Sequence, residues 1–185
     1  MSFRPKKKPQ PLEEPQLYDY AIAALGRRMR TVTELKRLMR NRVEEGETGD
    51  AKILAVVTRL EEHHYLDDPA YAATYTRLRQ DNEKFGKRRV QQELSRKGVN
   101  SALISTTVDA AYENVSEEAL ARKHLDRKRV KQPANEKESA RVVRLLLRGG
   151  FSTAVIFKIL KSWNVADATL AALETLDTEE NAGPE

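Results

Sequence analysis

The sequence has 185 residues, a formal net charge of +5, 33% charged residues and a mean hydropathy of −0.67. No stretch approaches the roughly 20 apolar residues that cross a bilayer, and the lysines at 6–8 are not followed by the apolar run of a secretory signal. Because there is no cysteine, disulfides and thiol chemistry are excluded. We therefore expect a cytoplasmic protein without a membrane partner.

Residues 1–16 differ in composition from the rest of the chain. They hold four of the seven prolines, together with Arg4 and the three lysines at 6–8. Such a segment cannot bury enough apolar surface to offset the entropy of ordering. The sequence therefore predicts a flexible tail rich in proline and lysine.

A first unit of three helices is predicted over residues 17–66. Its opening helix is expected over 17–30, and Thr31 with an acid three residues later marks the start of the second helix as a capping box. Residues 41–50 contain two glycines and are expected to form a longer loop. Beyond this loop, apolar residues at 53, 57 and 60 have the spacing of one buried helical face.

The rest of the sequence contains a repeat of 52 residues. Val90, Leu94, Gly98, Val99, Ile104 and Val108 recur as Val142, Leu146, Gly150, Phe151, Ile156 and Leu160. Each set predicts a helix, a glycine that ends it and a second helix. An aspartate cap at Asp68 before Pro69 marks the opening helix of the second unit, expected to end at residue 83.

The predicted fold is therefore all-α, with three tandem three-helix repeat units in an elongated array, straight or curved. The second unit is expected over 67–115 and the third over 116–166, where the opening helix spans 117–130. Residues 167–185 are expected to form a short helix and an acidic tail. Residues 174–185 hold five acids and no base.

Side chains that carry catalysis or bind metals do not form a recognisable pattern. His63 and His64 are adjacent at a predicted helix end, cannot face one site and are interpreted as partly exposed. Asp67 and Asp68 are better explained by capping than by a metal. The sequence also lacks a glycine-rich phosphate loop. We expect no enzyme, no cofactor and no metal site.

Clusters of basic residues are the most informative polar feature. The candidates for contact with a partner are Arg27, Arg28, Arg30, Lys87, Arg88, Arg89, Arg96, Lys97, Arg127, Lys128 and Arg148. The macrodipole favours cations at a helix C-terminus, which explains Arg96, Lys97 and Arg148 without a partner. Residues 87–89 begin a predicted helix, where cations are unfavourable. That conflict indicates either an acidic partner or a solvated face.

Residues 65–99 contain a distinctive run. It reads Tyr65-Leu66-Asp67-Asp68-Pro69 with Tyr71, Ala72, Tyr75 and Arg79, followed by Gly86-Lys87-Arg88-Arg89-Val90, Glu93-Leu94 and Lys97-Gly98-Val99. This run resembles the central signature of the RecX family of recombinase regulators. Residues 144–152 with Ile156 are similar to the closing repeat of that family, and residues 33–35 with Leu38 to its opening one. The resemblance covers about 17–165.

The resemblance implies a non-enzymatic cytoplasmic protein that binds the RecA recombinase filament on single-stranded DNA, lies in its helical groove, and inhibits ATP hydrolysis and strand exchange. Inhibition rather than activation comes from the resemblance alone. We also expect an auxiliary contact with single-stranded DNA and a monomer. Two alternatives stay open on the residues themselves: a helical-repeat protein that binds DNA directly, and a scaffold for an unrelated partner.

Overall fold

The computed structural model describes residues 10–165, and these residues are helical with no strand. The helices are α1 Glu14–Arg27, α2 Val32–Arg40, α3 Glu47–Glu62, α4 Asp68–Leu78, α5 Lys87–Arg96, α6 Ser101–Tyr112, α7 Glu117–Arg127, α8 Glu136–Arg148 and α9 Thr153–Ser162. A π-helical turn, Arg79–Glu83, follows α4. The predicted all-α class is confirmed. The helix and acidic tail expected over 167–185 lie outside the described residues, as do residues 1–9 of the first tail.

The described chain divides into two compact units. One consists of residues 10–72 with 94–103, and the other of 73–93 with 104–165. Helices α4, α5 and α6, which were expected to form the middle repeat unit, each contribute residues to both. The division into three repeat units stays a prediction.

The apolar residues of the predicted repeat lie in the core of the described chain. All ten apolar residues of the 52-residue repeat are buried, as are Leu35, Met39, Ile53 and Val57 at the corresponding places of α2 and α3. The first unit packs α1, α2 and α3 around these side chains. The second packs α7, α8 and α9 around Leu146, Phe151 and their neighbours. Burial of apolar side chains at helical spacing therefore organises each unit.

The two repeat glycines adopt the predicted left-handed conformation. Gly98 has φ +77° and Gly150 has φ +84°. In both turns the next residue donates its N–H to the carbonyl four residues before the glycine: Val99 to Leu94 at 3.2 Å and Phe151 to Leu146 at 3.2 Å. The repeat thus encodes one geometry twice, a helix that ends on a glycine and turns directly into the next helix.

Several helix bounds differ from the prediction. Helix α1 begins at Glu14, three residues early, because Glu13 and Gln16 form a capping box with Pro15 in the first turn. It ends at Arg27, since Arg28 is already extended. Helix α7 ends at Arg127, three residues early, and Arg129 has φ +54°. The predicted loop 41–50 is shorter than expected, because α3 begins at residue 47.

The predicted cap of α4 is wrong by one residue. Asp67 is the cap, since its Oδ1 accepts the N–H of Ala70 at 2.7 Å. Asp68 instead accepts the N–H of Val32 at 2.9 Å, which belongs to the first turn of α2. Burial raises the pKa of Asp68. Two consecutive aspartates therefore satisfy the free amides of two different helices.

His124 is a core residue that the sequence did not distinguish. It is 1% exposed and lies between the rings of Phe85 and Phe151, with centroids 5.8 and 5.6 Å away. Its Nδ1 is 2.9 Å from the carbonyl oxygen of Glu83. A carbonyl only accepts, so Nδ1 carries a proton in this contact. Burial lowers the pKa of His124, and the nearby cations lower it further.

Replacing Gly150 with alanine should destabilise the protein strongly. A Cβ there would lie 2.3 Å from the backbone nitrogen of Arg89, and the left-handed φ adds strain. We expect the free energy of unfolding to fall by about 2–5 kcal/mol, measured by urea denaturation. Gly26→Ala is the matched control, because a Cβ at Gly26 meets nothing within 4 Å. It should be neutral or stabilise by up to about 1 kcal/mol. Equal effects of the two variants would contradict the steric role of Gly150.

Stability should decrease as the pH falls below about 6.5, the ordinary pKa of histidine. The folded state binds a proton on His124 less readily than the unfolded state does, because the folded-state pKa of His124 is lowered. The stabilisation is thus present above pH 6.5 and lost as the pH falls through the folded-state pKa, with a slope of at most about 1.4 kcal/mol per pH unit for one proton. Urea denaturation of His124→Asn between pH 7.5 and 5.5 should show a flatter profile. The control His63→Gln/His64→Gln, which changes two exposed histidines, should retain the slope. A slope that survives in His124→Asn would refute the assignment.

Candidate partner-binding surface

Three polar side chains of the signature run converge on Glu93 in α5. The hydroxyl of Tyr75 donates to Glu93 Oε2 at 2.7 Å, and Arg79 Nε lies 3.1 Å from the same oxygen. Arg89 donates from Nε to Glu93 Oε1 at 2.9 Å, and its guanidinium also lies 5.5 Å from the Phe85 ring. Because the Glu93 side chain is only 13% exposed, these groups satisfy a nearly buried carboxylate. These residues of the signature run therefore have a structural role, since they form a cluster around Glu93.

Lys97 has a similar structural role in the other compact unit. Its Nζ is 3.1 Å from Glu34 Oε1 and 5.8 Å from the Tyr71 ring centroid. Burial opposes the charge of Lys97, but the bonds to Tyr71 and Glu34 raise its pKa overall. The adjoining backbone is also occupied, since Thr31 Oγ1 donates to the Lys97 carbonyl at 2.6 Å and Thr33 Oγ1 to that of Gly98 at 2.9 Å. Lys97 thus holds the α5–α6 turn against the start of α2.

Four other candidates have partners within their own unit. Lys87 pairs with Asp109 at 2.9 Å and Arg127 with Glu83 at 3.0 Å, both partly exposed. Arg28 lies 3.9 Å from Glu34, a long and weak pair. Arg30 is half-buried and donates from Nε to the carbonyl of Ala24 at 3.3 Å. Exposed pairs contribute at most about 1 kcal/mol, so Lys87, Arg127 and Arg28 can exchange their partners for an external anion.

The remaining candidates are exposed and make no ion pair with any residue in the range 10–165. They are Arg27, Arg88, Arg96, Lys128 and Arg148. The structure therefore separates neighbours that look equivalent in the sequence. Arg88 is exposed, whereas Arg89, one residue on, is packed and bonded.

A basic groove lies in the second compact unit, which consists of residues 73–93 and 104–165. A cavity of about 570 Å³ opens between the α7–α8 connection and α8. Five basic residues line it, namely Lys128, Arg129, Lys131, Arg141 and Arg148. Glu138 is the one acid among the lining residues, and its Oε2 accepts the backbone N–H of Ala134 at 2.9 Å. Val142 and Leu145 supply apolar surface.

The basic groove was not predicted as a unit. Lys128 and Arg148 were candidates, but Lys128 was expected inside a helix that reached residue 130. Because α7 ends at Arg127, Lys128 caps it, and Arg129 turns left-handed. The connection therefore brings three bases opposite Arg141 and Arg148 of α8. A signal for this arrangement existed in the sequence, in the dense run of bases before Pro133, but its tertiary position did not.

An exposed aromatic residue of the signature run was also missed. Tyr65 is 58% exposed although most apolar residues of the run are buried. Aromatic side chains that remain exposed are frequent anchors of protein interfaces. The surface available for a partner therefore combines free cations with at least one aromatic ring.

The described residues contain no group of three or more metal-ligating side chains. No described helix is long and apolar enough to cross a membrane. Exposed guanidinium and ammonium groups can bind carboxylates or phosphates through charge-assisted hydrogen bonds.

Comparison with known proteins gives consistent results. Residues 67–108 match the family model described as RecX, second three-helix domain. A regulatory protein RecX of Geobacillus thermodenitrificans is 33% identical over 146 residues, covering 77% of this chain and 52% of that protein. Another of Mycobacterium sp. (strain JLS) is 30% identical over 156 residues, covering 82% and 83%. This chain thus spans about half the length of the Geobacillus relative and most of the mycobacterial one.

A solved structure has the same fold. The crystal structure of RecX from Lactobacillus salivarius aligns with a TM-score of 0.60 and 20% identity, covering 83% of this chain and 97% of that one. The matched family domain begins at residue 67, where the second repeat unit was predicted to begin.

Arg88 and Arg89 should differ in their effect on stability. Arg89→Ala removes the bond to Glu93 and the contact with Phe85, and should lower the free energy of unfolding by about 1 kcal/mol. Arg88→Ala should change it by less than about 0.5 kcal/mol, as is usual for an exposed side chain that makes no ion pair, as Arg88 makes none within residues 10–165. Thermal or urea denaturation measures both. Similar losses would show that the cluster around Glu93 does not depend on Arg89.

Proposed function

Because the chain belongs to the RecX family of regulatory proteins, we propose that it binds the RecA recombinase filament on single-stranded DNA and inhibits ATP hydrolysis and strand exchange. Family membership is the observation that carries this proposal. The chain itself acts in the cytoplasm, as a monomer, without catalysis or cofactor.

The distribution of cations supports a binding role. The five candidate cations that make no ion pair within residues 10–165 lie on α1, α5 and α8 and directly after α7, in both compact units rather than in one enclosed site. A ligand that meets several of them must offer several anionic groups, and a filament is such a ligand. Contacts on one chain to more than one protomer raise avidity, because each later contact forms at high effective concentration.

Inhibition by such a protein requires no active site. Strand exchange and ATP hydrolysis need the filament to change conformation, and a ligand shifts that equilibrium by its difference in affinity for the two states. A protein that binds one state more tightly therefore slows the cycle. A hundredfold difference in affinity corresponds to about 2.7 kcal/mol, within reach of a few charge-assisted contacts.

The test is inhibition of ATP hydrolysis by a RecA recombinase on single-stranded DNA, together with co-sedimentation of the protein with the filament. Lys87→Ala/Arg88→Ala should weaken binding about tenfold, as expected when two exposed cations lose partners at about 0.7 kcal/mol each. Arg89 is left intact, because its loss would also affect folding.

Arg37→Ala is the matched control. Arg37 is exposed, makes no ion pair within residues 10–165 and lies outside the candidate set. The Arg37→Ala variant should inhibit ATP hydrolysis as strongly as the original protein does. If the original protein neither sediments with the filament nor slows hydrolysis at stoichiometric amounts, the proposed function is wrong. If the original protein inhibits and the double variant inhibits equally well, the start of α5 is not a contact surface.

The second candidate is direct binding of DNA, which the five bases of the basic groove favour. The measurement is titration of DNA alone at several salt concentrations. Each phosphate contact contributes a slope of about −0.7 to −0.9 in log K against log salt. Tight binding with a slope of several units would support this alternative, whereas weak binding without recombinase would favour the filament.

A further inference from the structure

The basic groove holds five bases and one acid, Glu138, and therefore has an excess of positive charge. None of its five bases forms an ion pair with a residue of the range 10–165. Elsewhere in the same unit, Lys87, Arg89, Arg122, Arg127 and Lys158 each pair with a carboxylate. The groove is therefore a site for an anion with several charges.

Helix α9 ends at the rim of this groove. Gln132, which lines the groove, donates from Nε2 to the carbonyl of Trp163 at 2.6 Å. Trp163 directly follows α9. The described chain therefore ends, at Val165, two residues after a contact with the lining of the groove.

The C-terminal residues have the complementary charge. Residues 174–185 hold Glu174, Asp177, Glu179, Glu180 and Glu185 and no base. From Val165 to Glu174 the chain can extend about 30 Å, more than enough to return to a groove that begins near Trp163. The entropy of closing so short a loop is small compared with that of a bimolecular encounter.

We propose that the acidic segment 174–185 occupies the basic groove of the same chain and competes there with external polyanions. Carboxylates meet guanidinium groups through paired, charge-assisted hydrogen bonds. Each exposed pair is weak on its own, so binding of the segment depends on several pairs together. Attachment to the same chain gives the segment a high effective concentration at the groove, and screening at high salt weakens its binding. This regulation is independent of which polyanion or partner binds in the open state.

The absence of cysteine allows a direct test. Thr178→Cys introduces a single site for a nitroxide spin label into the full chain. In an isotopically labelled sample, the spin label should broaden the amide NMR signals of residues 128–132 and 141–148 at about 0.05 M salt and much less at about 0.5 M, where screening is strong. Signals of the first unit serve as the internal reference. No broadening at low salt in the folded protein would overturn the proposal.

Two variants test whether the broadening depends on the charges of the segment and the groove. Changing the five acids of the segment to their amides, or Lys131, Arg141 and Arg148 to glutamine, should each abolish it. Glu61→Gln/Glu62→Gln removes exposed acids from the first unit and should leave it unchanged. Broadening that survives neutralisation of the five acids would refute the charge-based contact. In a further sample, the spin label and the isotope are placed on separate molecules. Broadening there as strong as in the doubly labelled chain would identify a second copy as the occupant and overturn occupation by the same chain.

Competition gives an independent readout. A fluorescein-labelled oligothymidine is the external polyanion, and its binding is followed by anisotropy. If the segment fills nine grooves in ten, neutralising its five acids raises the apparent affinity about tenfold. In the variant with Lys131, Arg141 and Arg148 changed to glutamine, neutralising the five acids should not raise the apparent affinity in this way. Equal affinity with and without the acids would show that the groove takes outside polyanions freely, and would contradict the proposal whether or not the chain regulates a recombinase.

Discussion

The close approach of two glycine backbones fixes the geometry of the second compact unit. The N–H of Gly86 donates to the carbonyl of Gly149 at 2.8 Å, and a Cβ on Gly86 would lie 2.3 Å from the carbonyl oxygen of Gly150. On its other side, Gly150 has no room for a Cβ because Arg89 is too near. A Cβ on Gly86 or on Gly150 would overlap the facing backbone, so this packing requires glycine at both positions. The start of α5 is thereby held against the α8–α9 turn.

This contact explains why so much of the signature run is structural. Once Gly86 is placed, α5 begins at Lys87, and Arg89 and Glu93 face the π-helical turn after α4. Glu93 then receives Tyr75, Arg79 and Arg89. The same turn supplies the carbonyl of Glu83 to His124. A π-helical turn widens the helix and redirects its last carbonyls, which is how one short segment serves both partners.

The sequence predicted the core and the repeat because both depend on local spacing. Apolar residues at one helical face and a glycine after the last turn are sufficient to place Leu146, Gly150 and Ile156. Helix ends were harder, because caps compete over one or two positions, as Asp67 and Asp68 show. Residues 128–130 continue a helical pattern in sequence, yet Arg129 turns left-handed. The site could be predicted only in outline, because which of Arg88 and Arg89 is free depends on where Phe85 and Glu93 lie in space. Charge content is visible in a sequence, whereas the pairing of charges is a tertiary property.

Four of the five candidate cations that make no ion pair within residues 10–165 lie where the fold itself favours a positive charge. Arg27, Arg96 and Arg148 are the last residues of their helices, and Lys128 caps a fourth. A cation at a helix C-terminus is stabilised by about 0.3–1 kcal/mol through the macrodipole, so these side chains favour the fold even without a partner. Arg88 is the exception, since it lies in the first turn of α5, where the dipole opposes a positive charge. Among these five candidates, Arg88 is the one whose position the helix dipole does not favour, and an anion bound beside it would remove the conflict.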